Sequence, residues 1–214
     1  MLVVAAAVIG IAAGWGINLL AVWLARIGAG VEDTLPGFAL ADLLRGRRPA
    51  WLDVAVELGT GLFCGWAALT GNWVLLVAYL FFALIAVIDL RYRLVLNIVT
   101  YPAIVIVLLG NLLVLHADPR HILLGGGLAF GIFFLTAWLK PDDLGWGDVK
   151  LAALLGFAFG FPQILWALLV GGGLGAVVAL LLLRQHGKKY TIPYAPFLCL
   201  GAMIALLYNP IVMM

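Results

Sequence analysis

Two aspartates are the residues best placed to do chemistry. Asp148 stands near the end of Lys140-Pro-Asp-Asp-Leu-Gly-Trp-Gly-Asp-Val-Lys150, a charged, glycine-bearing interruption between two apolar runs. Asp89 follows Ala83-Leu-Ile-Ala-Val-Ile88 and precedes Leu90-Arg-Tyr-Arg93. An ionised group near hydrocarbon costs about 2.5–3.5 kcal/mol even on lenient insertion scales, so each acid needs a reason to be there. Two carboxyls held close cannot both ionise and titrate as a unit sharing one proton. The charged member then serves as general base on a water while the protonated member hydrogen-bonds a scissile carbonyl, the division of roles in aspartic proteases. If Asp148 lies in a first helical turn, the helix dipole favours its ionised form and makes it the expected base. Gly145 and Gly147 suit a chain that must bend and approach a substrate backbone just before that acid.

The elements that must position these groups are membrane helices. Of 214 residues, 66% are apolar and 10% charged, with a mean hydropathy of +1.19, against roughly half apolar and a quarter charged in soluble domains. A span needs about 20 apolar residues, and eight segments qualify: 2–25, 54–70, 73–90, 94–115, 121–139, 148–161, 163–184 and 193–212. The second and sixth are short, and the second contains Glu57. The fold class is therefore an all-α polytopic bundle of about eight transmembrane helices, a single membrane-embedded domain over 1–214. The segment 2–25 lacks a basic leader region and a clear cleavage site and reads as a retained helix. Loop 26–52 alone has soluble character.

Basic residues near span ends stay on the cytoplasmic side. With eight spans, loops 26–52, 91–93, 140–150 and 185–192, with the adjoining Arg184, share one side and hold eleven of the twelve Lys and Arg residues. Both termini are then expected to face outward, and Asp89 and Asp148 to face the cytoplasm at similar depth. The plainer reading makes them interfacial acids solvated by headgroups, with Arg91 or Arg93 neutralising Asp89. A second alternative is a transporter or channel that binds a proton or cation at the two acids.

Other residues point away from other functions. A net charge of +2, without basic clusters interleaved with aromatics, gives no footprint for nucleic acid. Cys64 and Cys199 lie in apolar runs and read as buried thiols. His116, His121 and His186 share no helix face at ligand spacing, so no metal site is expected. Gly125-Gly-Gly127 and Gly171-Gly-Gly173, with Gly131 and Gly175, read as places of close helix packing. Trp23, Trp51, Trp138 and Trp146 fall near predicted boundaries, as interface anchors do.

Gly145-Trp-Gly-Asp148-Val-Lys150 resembles the Gly-x-Gly-Asp-x-Lys signature of the type IV prepilin peptidases, and Ile88-Asp-Leu-Arg-Tyr-Arg93 resembles the segment holding their first catalytic aspartate. Val56-Glu-Leu-Gly-Thr-Gly61, Thr191-Ile-Pro-Tyr-Ala-Pro-Phe197 and, more weakly, Gly16-Ile-Asn-Leu19 extend the likeness over residues 14 to 207. The resemblance implies an aspartic endopeptidase with Asp89 and Asp148 as its catalytic pair, removing the basic leader of a prepilin or pseudopilin at the cytoplasmic face of the inner membrane. It adds Gly145, Gly147, Lys150 and Glu57 as supporting residues. Asp142 and Asp143 would suit a basic leader, against the plainer reading of solvated loop charges.

The chain also departs from that family. Many members carry two Cys-x-x-Cys pairs in the first cytoplasmic loop and N-methylate the new N-terminus with S-adenosylmethionine. Here the loop reads Asp42-Leu-Leu-Arg-Gly-Arg-Arg-Pro-Ala-Trp51, without cysteine. Zinc is not expected, no cofactor is expected for proteolysis, and S-adenosylmethionine is expected only if methyl transfer is retained. Leu96 precedes Asn97 where the family usually has proline, and Trp15-Gly-Ile17 replaces its usual Gly-Ser-Phe.

Overall fold

The structure, a computed structural model, describes residues 1–33, 50–139, 144–186 and 193–208. Among them all regular structure is helical: α1 (Leu2–Ala29), α2 (Trp51–Thr70), α3 (Trp73–Tyr92), α4 (Asn97–Leu109, continued by a π-helical turn Gly110–Val114), α5 (Pro119–Leu139), α6 (Trp146–Phe159), α7 (Ile164–His186) and α8 (Ala195–Tyr208). Six of these eight are long and apolar enough to cross a membrane. The protein is a multi-pass membrane protein of the all-α class.

The expectation that segment 148–161 spans the membrane is corrected. The segment 148–161 is the 14-residue helix α6, which at 1.5 Å per residue reaches about 21 Å and falls short of a bilayer core. Instead of facing lipid it is enclosed, with Val149 and Leu151 to Gly156 all buried. The segment 193–212 holds α8, Ala195–Tyr208, within the described residues. Conversely, the doubtful second span is a full 20-residue helix, because its polar side chains turn away from lipid.

The chain forms two compact units, Met1–Tyr92 and Arg93–Met214. In the first, Asp53, Glu57, Thr60, Gly61 and Cys64 recur at helical spacing along α2 and are all buried. They meet the buried face of α1, which includes Gly10, Gly14 and Asn18. A Cβ on Gly14 would lie 2.6 Å from the Glu57 Cα, and one on Gly10 would lie 2.7 Å from the Thr60 carbonyl. The two backbones touch along a polar seam, as small residues permit where lipid supplies no hydrophobic drive. Helix α1 stops at Gly30 and α2 at Gly71, both left-handed and donating their N–H groups back to the last turn.

In the second unit the glycine triplets divide. Gly125 and Gly126 pack on α6, where a Cβ on Gly125 would stand 2.6 Å from the Gly156 carbonyl. Gly171 meets α8, with Gly201 pressing on it in turn. Gly127, Gly131, Gly172 and Gly173 face open space, so the packing role holds for only part of each run. The far end of α6 is tied by Asn111, whose Nδ2 donates to the Phe157 carbonyl at 2.7 Å and to that of Ala158 at 3.4 Å. His121 Nδ1 donates to the Phe161 carbonyl at 2.8 Å, and the Phe161 N–H returns a bond to the His121 carbonyl at 2.8 Å. This answers the carbonyls that a helix end leaves over and the chain beyond it.

Candidate active site

In the first unit Asp89 lies in the last turn of α3 and is 4% exposed. The chain leaves that helix through Arg93, at a φ of 54°, a left-handed conformation uncommon outside glycine. Arg91 is two residues beyond Asp89, which is about 200° around a helix. The plainer reading has either Arg91 or Arg93 neutralise Asp89, and the structure engages Arg91 with two other helices. Its guanidinium pairs with the Asp53 carboxylate on α2 and donates to Asn18 Oδ1 on α1 at 3.0 Å, while Asn18 Nδ2 approaches the Asp53 carbonyl at 3.4 Å. Three helices are joined through one polar cluster. Glu57, fully buried, lies one turn along α2 from Asp53 on the same face.

Sequence reasoning did not assemble Asn18, Asp53 and Arg91. The available signal was an opposite-charge pair at the ends of two successive spans, Asp53 and Arg91, with a lone asparagine in the preceding span.

In the second unit Asp148 sits in the first turn of α6, half-buried, with its N–H bonded to the Gly145 carbonyl at 3.0 Å. This is the first-turn position in which the helix dipole favours a carboxylate. Neighbouring residues of that turn are each held by a different element. Trp146 packs edge-on against Phe134 of α5, with ring centroids 5.8 Å apart. Gly147 faces Val95, Lys150 Nζ donates to Asn97 Oδ1 at 2.7 Å, and the same ammonium lies 5.1 Å from the Tyr101 ring centroid. Asp148 itself interacts electrostatically with the Tyr194 phenol at the entry to α8. That phenol ring is held edge-on by Phe133 and fits because Gly175 has no Cβ, which would come 3.3 Å from the ring. Tyr194 was noted in the sequence only as part of a motif; its nearness to Asp148 depends on how α5, α7 and α8 converge.

The two site glycines serve different purposes. Gly145 has φ −72° and ψ 144°, open to any residue, and a Cβ there would lie an ordinary 3.7 Å from Asp148 Oδ2. The backbone bend at Gly145 therefore does not by itself require a glycine. At Gly147 a Cβ would come 2.7 Å from the Val95 Cβ, so close approach is the reason for that glycine. Gly147→Ala is expected to cost about 1–3 kcal/mol through overpacking and to reduce activity, whereas Gly145→Ala remains within about threefold of wild type. Melting in detergent and substrate turnover check both, and equal behaviour of the two variants would contradict the packing.

Asp142 and Asp143 lie outside the described residues, as do most of loop 26–52 and residues 187–192. Among the described residues no three of His, Cys, Asp and Glu gather as metal ligands.

Residues 76–180 match the type IV leader peptidase family. Over 182 residues the chain is 32% identical to an Aeromonas salmonicida (strain A449) protein named prepilin leader peptidase/N-methyltransferase, covering 80% of this chain and 58% of that one. Proteins of the same name show 27% identity over 167 residues in Pseudomonas aeruginosa, covering 72% and 57%, and 29% over 177 residues in Escherichia coli (strain K12), covering 77% and 78%. The chain thus spans little more than half the length of the Aeromonas and Pseudomonas relatives. No solved structure matches it.

Proposed function

Since residues 76–180 belong to the type IV leader peptidase family, we propose that this protein is a membrane aspartic endopeptidase that cuts the basic leader from a prepilin-like substrate. The observation that carries the reading is that the matched segment contains both acids, each at the end of an apolar helix: Asp89 in the last turn of α3 and Asp148 in the first turn of α6. In this reading Asp148, at a helix N-terminus, takes a proton from the attacking water. Asp89, with 4% exposure, carries the shared proton and donates it to the scissile carbonyl. As the tetrahedral intermediate collapses, the proton gained by Asp148 passes to the leaving amine, and one hydroxyl of the intermediate returns its proton to Asp89.

Basic residues concentrated on one side of the spans support placing the cut at the cytoplasmic face of the inner membrane, with both termini outward. The substrate is then a basic leader followed by an apolar helix, the cut falling just before that helix. Asp142 and Asp143 are its proposed partners for the leader. Zinc does not fit the first loop, which has no thiolate. Methyl transfer from S-adenosylmethionine is a question for the product rather than a step of the cleavage.

The test is to incubate membranes containing this protein with a panel of prepilins and pseudopilins and to weigh the products. A product shortened by the basic leader supports the reading, and an added methylene on it identifies methyl transfer. Uncut substrates throughout, with proton or cation flux in vesicles that depends on Asp89 and Asp148, would establish the transporter alternative instead.

A further inference from the structure

Both acids belong to the same short pattern: an aspartate, one residue, then a cation, as Asp89-Leu-Arg91 and Asp148-Val-Lys150. On a helix a two-residue step turns about 200°, so the cation leaves on nearly the opposite face. In each unit it is engaged by a neighbouring helix of that unit. Arg91 goes to Asp53 and Asn18, and Lys150 goes to Asn97 and the face of Tyr101. The contacts of Lys150 therefore run from the first turn of α6 to the first two turns of α4, beside the close approach of Gly147 to Val95.

We propose that Lys150 and Asn97 form a positioning strap, fixing the rotation of the first turn of α6 on α4 so that the Asp148 carboxylate is held in its working direction. The proposal rests on the catalytic reading of Asp148. The lysine acts by where its ammonium is tied, not by its field on the acid. A lysine suits this task because its long stem reaches across to α4, and its ammonium supplies one hydrogen bond to the amide oxygen while resting on an aromatic face. The hydrogen bond is exposed and adds little to global stability. Its effect is geometric, and misplacement of a reacting group by about 1 Å can lower a rate by as much as about a hundredfold.

The test is a double-mutant cycle with K150M, N97A and the double variant, read as kcat and KM for leader cleavage per folded protein, with the pH profile and with melting in detergent. Each single variant is expected to lower kcat about tenfold, with KM within about twofold and the acid limb of the profile unmoved. The double variant should be no slower than either single one, because both remove the same strap. K150R and N97D, which can remake the tie, should stay within about threefold of wild type. If K150M fails to accumulate, N97A against N97D carries the test from the other end. The proposal is overturned if K150M keeps the wild-type kcat, if the two losses multiply, if N97A and N97D are equal, or if the acid limb moves upward in K150M, which would show the charge acting on Asp148. D148N separates this from the catalytic reading. Should D148N still cut, the catalytic reading fails and the strap with it, whereas an inactive D148N beside a K150M that keeps the wild-type kcat overturns the strap alone.

Discussion

Asp148→Asn and Asp89→Asn are each expected to lower leader cleavage by about a thousandfold, in the range that a positioned general acid or base contributes. Asparagine matches aspartate in size but can neither take a proton from water at position 148 nor hold the shared proton at position 89. Since the shape of the side chain is retained, folded protein should accumulate as in the wild type, and the loss should fall on kcat. Asp118→Asn is the internal control. That acid is exposed and accepts a bond from the N–H of Arg120 at 2.9 Å, a local turn without a chemical task, so its variant should cut within about twofold of wild type. Cleavage assays in membranes, with the product identified by mass, measure all three. Full activity in both the D89N and D148N variants would remove the dyad from the mechanism.

Arg91→Met is expected to produce the largest loss of stability. The Arg91 and Asp53 side chains are 16% and 12% exposed, so removing the guanidinium leaves a mostly buried carboxylate without its counter-charge. Breaking such a pair costs about 3–5 kcal/mol, and the remaining exposure argues for the lower end, about 3 kcal/mol. Asn18 also loses the donor to its Oδ1, which loosens the contact between α1 and α3. Adding Asp53→Asn in the same chain removes the stranded charge and should restore more than half of the lost melting temperature. A single variant that melts with the wild type, or a double variant that melts below the single one, would contradict the observed pairing.

Much of the fold could be read without coordinates because hydropathy acts locally. Twenty apolar residues in a row specify a membrane helix whatever surrounds them, and all eight expected segments contain helices. Which of them span was less secure. Hydropathy alone does not separate a helix facing lipid from one enclosed by other helices, and α6 is of the second kind. The acids were legible for a related reason: an ionisable group at a membrane boundary is costly enough to need a purpose. Glu57 followed the same logic, and it is fully buried against α1.

Residue types, hydropathy and motif spacing thus determined by themselves that this is a helical membrane protein, where its helices lie along the chain, and that Asp89 and Asp148 are its candidate acids. Only the tertiary structure decided what surrounds them. Arg91 stands two residues from one acid and Lys150 two from the other, yet Arg91 joins Asp53 and Asn18, and Lys150 joins Asn97. It also decided that Gly147 needs its missing side chain while Gly145 does not, and that Tyr194 reaches the field of Asp148. The physical reason is angular. Nearness in sequence sets distance along a helix axis, but the direction of a side chain and the identity of the facing helix depend on how several helices pack, which no local window contains.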